Sequence, residues 1–285
     1  MKIIKTIKEN FSSLTIRQKI SFFLAIGIVF VVILATLINW HLTSTRISQE
    51  LTTLSDEAKS ELLNRSSIHG YKMLQSFWRV NLTFTWLSNT FLAISAVIFA
   101  LKMKNHKVQQ TFFLSIIYIS ITFLIYWTLI FVPELKEFKP LYFFNTFIIH
   151  AVSPILGFVI LIINRKEIQI SKRTVYLSVI TMLGYYFFAL ITFFMSTPIY
   201  DQLKDVELKN GNRLTKELDM TIYGFLNFRE PLFYKGGNVS IVCLLNLVIF
   251  GVGFVLTPAI GYLWVKTLRI KFATKTSQKV DWIRR

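Results

Sequence analysis

Apolar residues in this chain fall into six long blocks separated by shorter polar stretches: Ile20 to Leu42, Phe77 to Leu101, Thr111 to Val132, Leu141 to Ile163, Thr174 to Met195 and Val239 to Val265. They run on without the alternation of a half-buried strand or the 3.6-residue stripe of a helix on a soluble core. At about 1.5 Å per residue each block is long enough, as a helix, to cross about 30 Å of hydrocarbon. The pattern predicts an all-α, polytopic membrane protein with six transmembrane helices. Between the first two blocks, Ile47, Leu51, Leu54, Ala58 and Leu62 recur at steps of three or four. That spacing predicts an amphipathic helix over about 45–66, either extending the first span or lying on the outer surface. Gly251, Gly253, Pro258 and Gly261 interrupt the sixth block and predict a kinked, packed helix.

Charge gives the blocks a direction. Residues 1–19, 102–110, 164–173 and 266–285 hold 19 Lys and Arg in 58 positions, whereas 43–76, 133–140 and 196–238 hold 12 in 85. Basic residues accumulate in the short loops that stay on the cytoplasmic side. Both termini are therefore expected inside (N-in/C-in), with the chain in the plasma membrane. The inner set also has 3 acids and the outer set 12, so nearly all of the net +17 faces the cytoplasm, against anionic lipid. The basic segments at 1–19 and 266–285 flank the six-helix domain of 20–265. Lys2, Lys5, Lys8, Arg17 and Lys19 precede an apolar block too long for a signal peptide and without a small-x-small cleavage site, which reads as a retained anchor.

Composition removes other classes. Hydrophobic residues make up 53% of the chain, too much apolar surface for a water-soluble fold, so the positive charge is a topology signal and no nucleic-acid partner is expected. Cys243 is the single cysteine, and His41, His69, His106 and His150 lack metal-ligand spacing. No metal or other cofactor is expected. Membrane lipids are the expected partners, and the sequence does not set the oligomeric state.

Inside the blocks ionisable residues are scarce and no Asp or Glu occurs, which singles out His150 near the middle of the fourth. A polar cluster, Thr85, Ser88 and Asn89, lies in the FTWLSN run of the second. Either feature alone reads equally as packing glue between helices. Counted from the outer ends of their blocks, Thr85 and His150 come to one depth, roughly 12 to 14 Å below the boundary at about 1.5 Å per residue. A threonine hydroxyl beside a neutral imidazole is the minimal nucleophile and base for cleaving an ester. Asn89, one turn from Thr85, is placed to donate to an oxyanion. The group that orients His150 is left open among a backbone carbonyl, a hydroxyl and an amide such as Asn145.

FTWLSN, and NTFIIHAVSP around His150, resemble the androgen-induced family of intramembrane hydrolases and its bacterial six-helix relatives. Thr85 with Asn89 four positions on, and His150 with Pro154 four positions on, match the pattern. YGFL (Tyr223 to Leu226) is similar to the family's Tyr-Pro-x-Leu element, with Gly224 for Pro and Asn227 where relatives tend to have Asp. The resemblance implies hydrolysis of bulky lipid esters, such as fatty acid esters of hydroxy fatty acids, with Thr85 as nucleophile and His150 as base. The substrate would then enter from the outer leaflet, and Arg79 would receive a lipid carboxylate or, more ordinarily, anchor the interface beside Trp78. The competing reading is a non-catalytic permease component or structural subunit.

Overall fold

Thr15 starts the first long helix through a reciprocal cap: the Gln18 amide N–H donates to Thr15 Oγ1 at 3.3 Å, and the Thr15 N–H donates to Gln18 Oε1 at 3.1 Å. In the computed structural model, which describes residues 11–64, 80–198 and 221–273, this helix is α1 (Ile16–Thr52). It is followed by α2 (Asp56–Asn64), α3 (Phe84–Leu101), α4 (His106–Ile125), a π-helical turn (Tyr126–Ile130) and α5 (Phe131–Lys136). Then come α6 (Pro140–Phe147), a second π turn (Ile148–Val152), α7 (Ser153–Asn164), strand β1 (Gln169–Ile170), α8 (Lys172–Met195), α9 (Val239–Leu268) and strand β2 (Lys271–Phe272). The described residues are about 82% helical with almost no strand. Among the described residues six helical stretches are long and apolar enough to cross a membrane: Ile16–Thr52, Phe84–Leu101, His106–Lys136, Pro140–Asn164, Lys172–Met195 and Val239–Leu268. That architecture is the one a multi-pass membrane protein requires.

Several boundaries depart from the apolar blocks for local reasons. α1 continues without a break to Thr52, 37 residues in all, where Thr52 and Thr53 turn their hydroxyls onto the carbonyls of Gln49 and Glu50. The amphipathic region of 45–66 is thus split between the end of α1 and α2, with residues 65 and 66 outside the described range. α3 begins only at Phe84, because residues 82–83 form a turn and Thr83 is the extended N-cap. α4 runs through the first π turn into α5, so the helix extends to Lys136 and carries Glu134 with it. α9 passes through Pro258 without ending; its most apolar stretch is not buried, while Thr257 and Ile260 beside Pro258 are.

The chain forms two units, Met1–Ser171 with Trp264–Arg285, and Lys172–Leu263. In the first, α1 buries a narrow seam of Ser21, Ala25, Ile28 and Ala35, while Phe23, Phe30 and Leu37 stay exposed as lipid-facing residues would. Small and hydroxyl side chains let the helices approach. Ser95 donates to Ser115 at 2.7 Å, Asn164 donates to Ser21 at 2.8 Å, and a Cβ built on Gly157 would stand 2.9 Å from Leu92. Trp264 Nε1–H donates to Ser120 at 2.9 Å and its ring packs on Phe158.

At the other end of α4, Gln109 and Gln110 hold the segment after α7 by its backbone. Gln109 donates to the carbonyls of Met103 and Glu167 and accepts from the Gln169 N–H, while Gln110 donates to the Gln169 carbonyl and accepts from the Ser171 N–H. β1 then pairs in parallel with β2.

In the second unit an aromatic cluster joins α8 to residues 221–234. Phe228 packs on Phe193 and Tyr186, and Asn246 of α9 donates to the Phe228 carbonyl at 2.9 Å. The Tyr223–Leu226 element lies here, as an extended Tyr223 leading into a 3-10 turn of Gly224–Leu226. Asn227 Oδ1 accepts from the backbone N–H groups of Arg229 and Glu230, a turn-forming role that Asp would fill equally.

Candidate active site

Two π turns build the site, and a proline explains each. Pro154 has no N–H to give the carbonyl of His150 four residues back, and its ring would crowd that carbonyl in a regular α-helix. The helix widens instead, with the Ser153 N–H reaching the Ile148 carbonyl, and His150 sits in the middle of the wide turn. Pro133 stands in the same relation to Leu129, and the turn before it opens with Tyr126, whose carbonyl accepts from the Phe131 N–H. Single π turns inside α-helices recur at functional sites because they displace a side chain from its regular register.

The displaced His150 meets the first turn of α3. Thr85 Oγ1 lies 3.3 Å from His150 Nε2, and the other ring nitrogen, Nδ1, lies 2.9 Å from the Thr146 carbonyl. A carbonyl can only accept, so Nδ1 carries the proton and Nε2 presents its lone pair to the threonine hydroxyl. The pair is enclosed: Thr85 is 8% and His150 7% exposed. Trp86 beside it donates to Thr36 of α1 at 3.0 Å and packs with Ala35, Ile148 and Ile149. Tyr126 lies almost parallel on the imidazole, with ring centroids 5.1 Å apart and planes inclined by 15°.

The remaining candidates divide. Asn89 is fully buried and donates to the Thr85 carbonyl at 2.8 Å, leaving its Oδ1 buried without a hydrogen-bond partner. Ser88 donates to the same carbonyl and bonds Thr122 at 2.8 Å, tying α3 to α4. Asn145 is buried near the pair in sequence but does not orient His150; the backbone carbonyl of the next residue, Thr146, does. Arg79 lies outside the described residues. Thr85 is the second residue of α3, which follows the turn at 82–83, and residues 77–79 lie outside the described range.

The structure adds Tyr126 and Glu134 to the site and settles which backbone carbonyl orients His150, that of Thr146. Tyr126 and the Thr146 carbonyl are visible only once the π turns are formed, although Pro133 and Pro154 are the signal for those turns. Glu134 had been assigned to a loop. On α5 it is 9% exposed, and neither carboxyl oxygen has a hydrogen-bond partner of good geometry. Tyr126, Tyr142 and the Thr146 side chain lie within its electrostatic reach. The absence of acids from the spans therefore does not hold for the helix as folded.

Among the described residues no three His, Cys, Asp or Glu side chains gather as a metal site. What the geometry offers is a hydroxyl on an oriented, neutral base in surroundings that exclude water. A separation of 3.3 Å is at the long end of a hydrogen bond, as is common before substrate tightens such a pair. Compared with protein families, curated proteins and solved structures, the chain matches none.

Proposed function

We propose that this protein is an intramembrane hydrolase of lipid esters, with Thr85 as nucleophile and His150 as general base. The observation that carries the reading is the buried Thr85–His150 contact at 3.3 Å, with Nδ1 already committed to a carbonyl. Thr85 Oγ1 attacks the acyl carbon as its proton passes to Nε2, and His150 returns that proton to the departing alkoxide. Water then attacks the acyl carbon as its proton passes to the same nitrogen, and that proton moves to Thr85 Oγ1 as the Oγ1–acyl bond breaks and the acid leaves. Asn89 has an amide N–H beyond the one held by the Thr85 carbonyl, and it is the donor we assign to the oxyanion. The likeness to the androgen-induced hydrolases supports the substrate class, bulky fatty esters such as those of hydroxy fatty acids. In this reading both termini are cytoplasmic, the protein resides in the plasma membrane, substrate arrives from the outer leaflet, and Arg79 anchors the interface beside Trp78 or receives a lipid carboxylate.

The second reading, a non-catalytic permease component or structural subunit, draws on the low exposure of the same pair. A buried hydroxyl–imidazole hydrogen bond also serves as interhelical glue. The two part on covalent chemistry: a fluorophosphonate labels Thr85 in a hydrolase and labels nothing in a structural subunit.

A further inference from the structure

Proton transfer from Thr85 places a positive charge on the His150 ring at a point where the side chain is 7% exposed. A buried charge must be met by something other than water. Among the described residues the ring's hydrogen bonds go to Thr85 and to the Thr146 carbonyl, and no carboxylate is bonded to it. Among the described residues the ring also lies against the face of Tyr126, 5.1 Å away and inclined by only 15°. An aromatic face is negative, and a cation within about 6 Å of its centroid is attracted to it, most strongly where water is absent. The Tyr126 ring is fully buried and fixed at its edges by Trp127 and Phe131, with centroids at 5.3 Å and 5.8 Å. Among the described residues its hydroxyl has no hydrogen-bond partner, although the Glu134 carboxyl lies within its electrostatic reach.

We infer that Tyr126 is a positioning residue for His150. Its ring holds the imidazole plane so that Nε2 faces Thr85, and it takes up part of the imidazolium charge during ester cleavage. This inference rests on the hydrolase reading above. The step it serves balances: the Thr85 O–H bond breaks as the Oγ1–acyl bond and the Nε2–H bond form. Collapse then breaks the ester C–O bond and moves the proton to the alkoxide, with no change of oxidation state.

The test uses the full chain in lipid nanodiscs, with a 4-nitrophenyl fatty acid ester as substrate. Tyr126→Leu removes the ring and is expected to lower kcat by about ten- to thirtyfold, with KM changed less than about twofold. Tyr126→Phe keeps the ring face and is expected to restore the lost rate. In parallel, the His150 Cε1–H signal of histidine-labelled protein, assigned through His150→Gln, is expected to lose its ring-current shift in the Leu variant and keep it in the Phe variant. Should Tyr126→Leu not fold, Tyr126→Met gives the same two readouts. Wild-type kcat in the Leu variant, or a Phe variant as slow as Leu, overturns the inference. If the wild type cleaves no ester, the hydrolase reading fails on its own account, and an unshifted His150 signal in the ringless variant separately overturns the positioning role.

Discussion

Thr85 and His150 are 65 positions apart in the chain, and their side chains meet with Oγ1 3.3 Å from Nε2. The threonine comes from the first turn of α3 and the histidine from the wide turn between α6 and α7. The contact depends on where each helix is irregular: α3 starts late, and the His150 helix bulges. A single missing amide, that of Pro154, is the physical origin of that bulge.

Pro154→Ala restores the amide and is expected to let the Ile148–Val152 turn relax toward an α-helix. The change removes a helix-breaking residue, so the thermal midpoint should hold or rise. The Thr85–His150 register should shift, lowering ester cleavage by about ten- to a hundredfold. Measuring both quantities on one preparation checks it, and an unchanged rate would mean that the bulge is not set by Pro154.

The close approach of α7 to α3 depends on Gly157, since a Cβ there would stand 2.9 Å from a Leu92 methyl that is itself fully buried. Gly157→Val is expected to cost about 1–3 kcal/mol in unfolding stability. Made in a Leu92→Ala background, where the space has been vacated, the same substitution should cost less, and a double-mutant cycle of denaturation midpoints measures the coupling.

Gln109 and Gln110 bond the backbone of residues 167–171 in addition to the pairing of β1 with β2. Gln109→Ala leaves the Gln169 amide and the Glu167 carbonyl without these partners. Hydrogen exchange at Gln169 should then rise well above that of amides in the middle of α4, while α3 and α4 keep their protection.

Cys243 is the single cysteine, so Cys243→Ser gives a clean background for testing orientation. With the N-terminus inside, Lys104→Cys should react with a membrane-impermeant maleimide only after the cells are opened, and Ser55→Cys should react on intact cells. The opposite pattern would invert the assigned topology.

The sequence displays the helices more completely than it displays their ends. Six apolar blocks of this length could be little else, because hydrocarbon tolerates only backbones that satisfy their own hydrogen bonds. The ends are set by local chemistry that block length ignores: the Thr83 cap delays α3, and helical continuation past Val132 buries Glu134 where a loop was expected. Thr85, Asn89 and His150 stood out in the sequence because polar groups are rare in such blocks. Tyr126 did not, since one aromatic residue among 27 Phe and 11 Tyr carries no mark of its own. Its place over the imidazole follows from the π turn that begins with it.

The most direct measurement is fluorophosphonate labelling of the protein in native membranes, comparing wild type with Thr85→Ala and His150→Ala at equal amounts of folded protein. The account predicts labelling of the wild type at Thr85, located by mass spectrometry, and its loss in both variants. Labelling that persists in either variant, or a folded wild type that takes up no label, would contradict it.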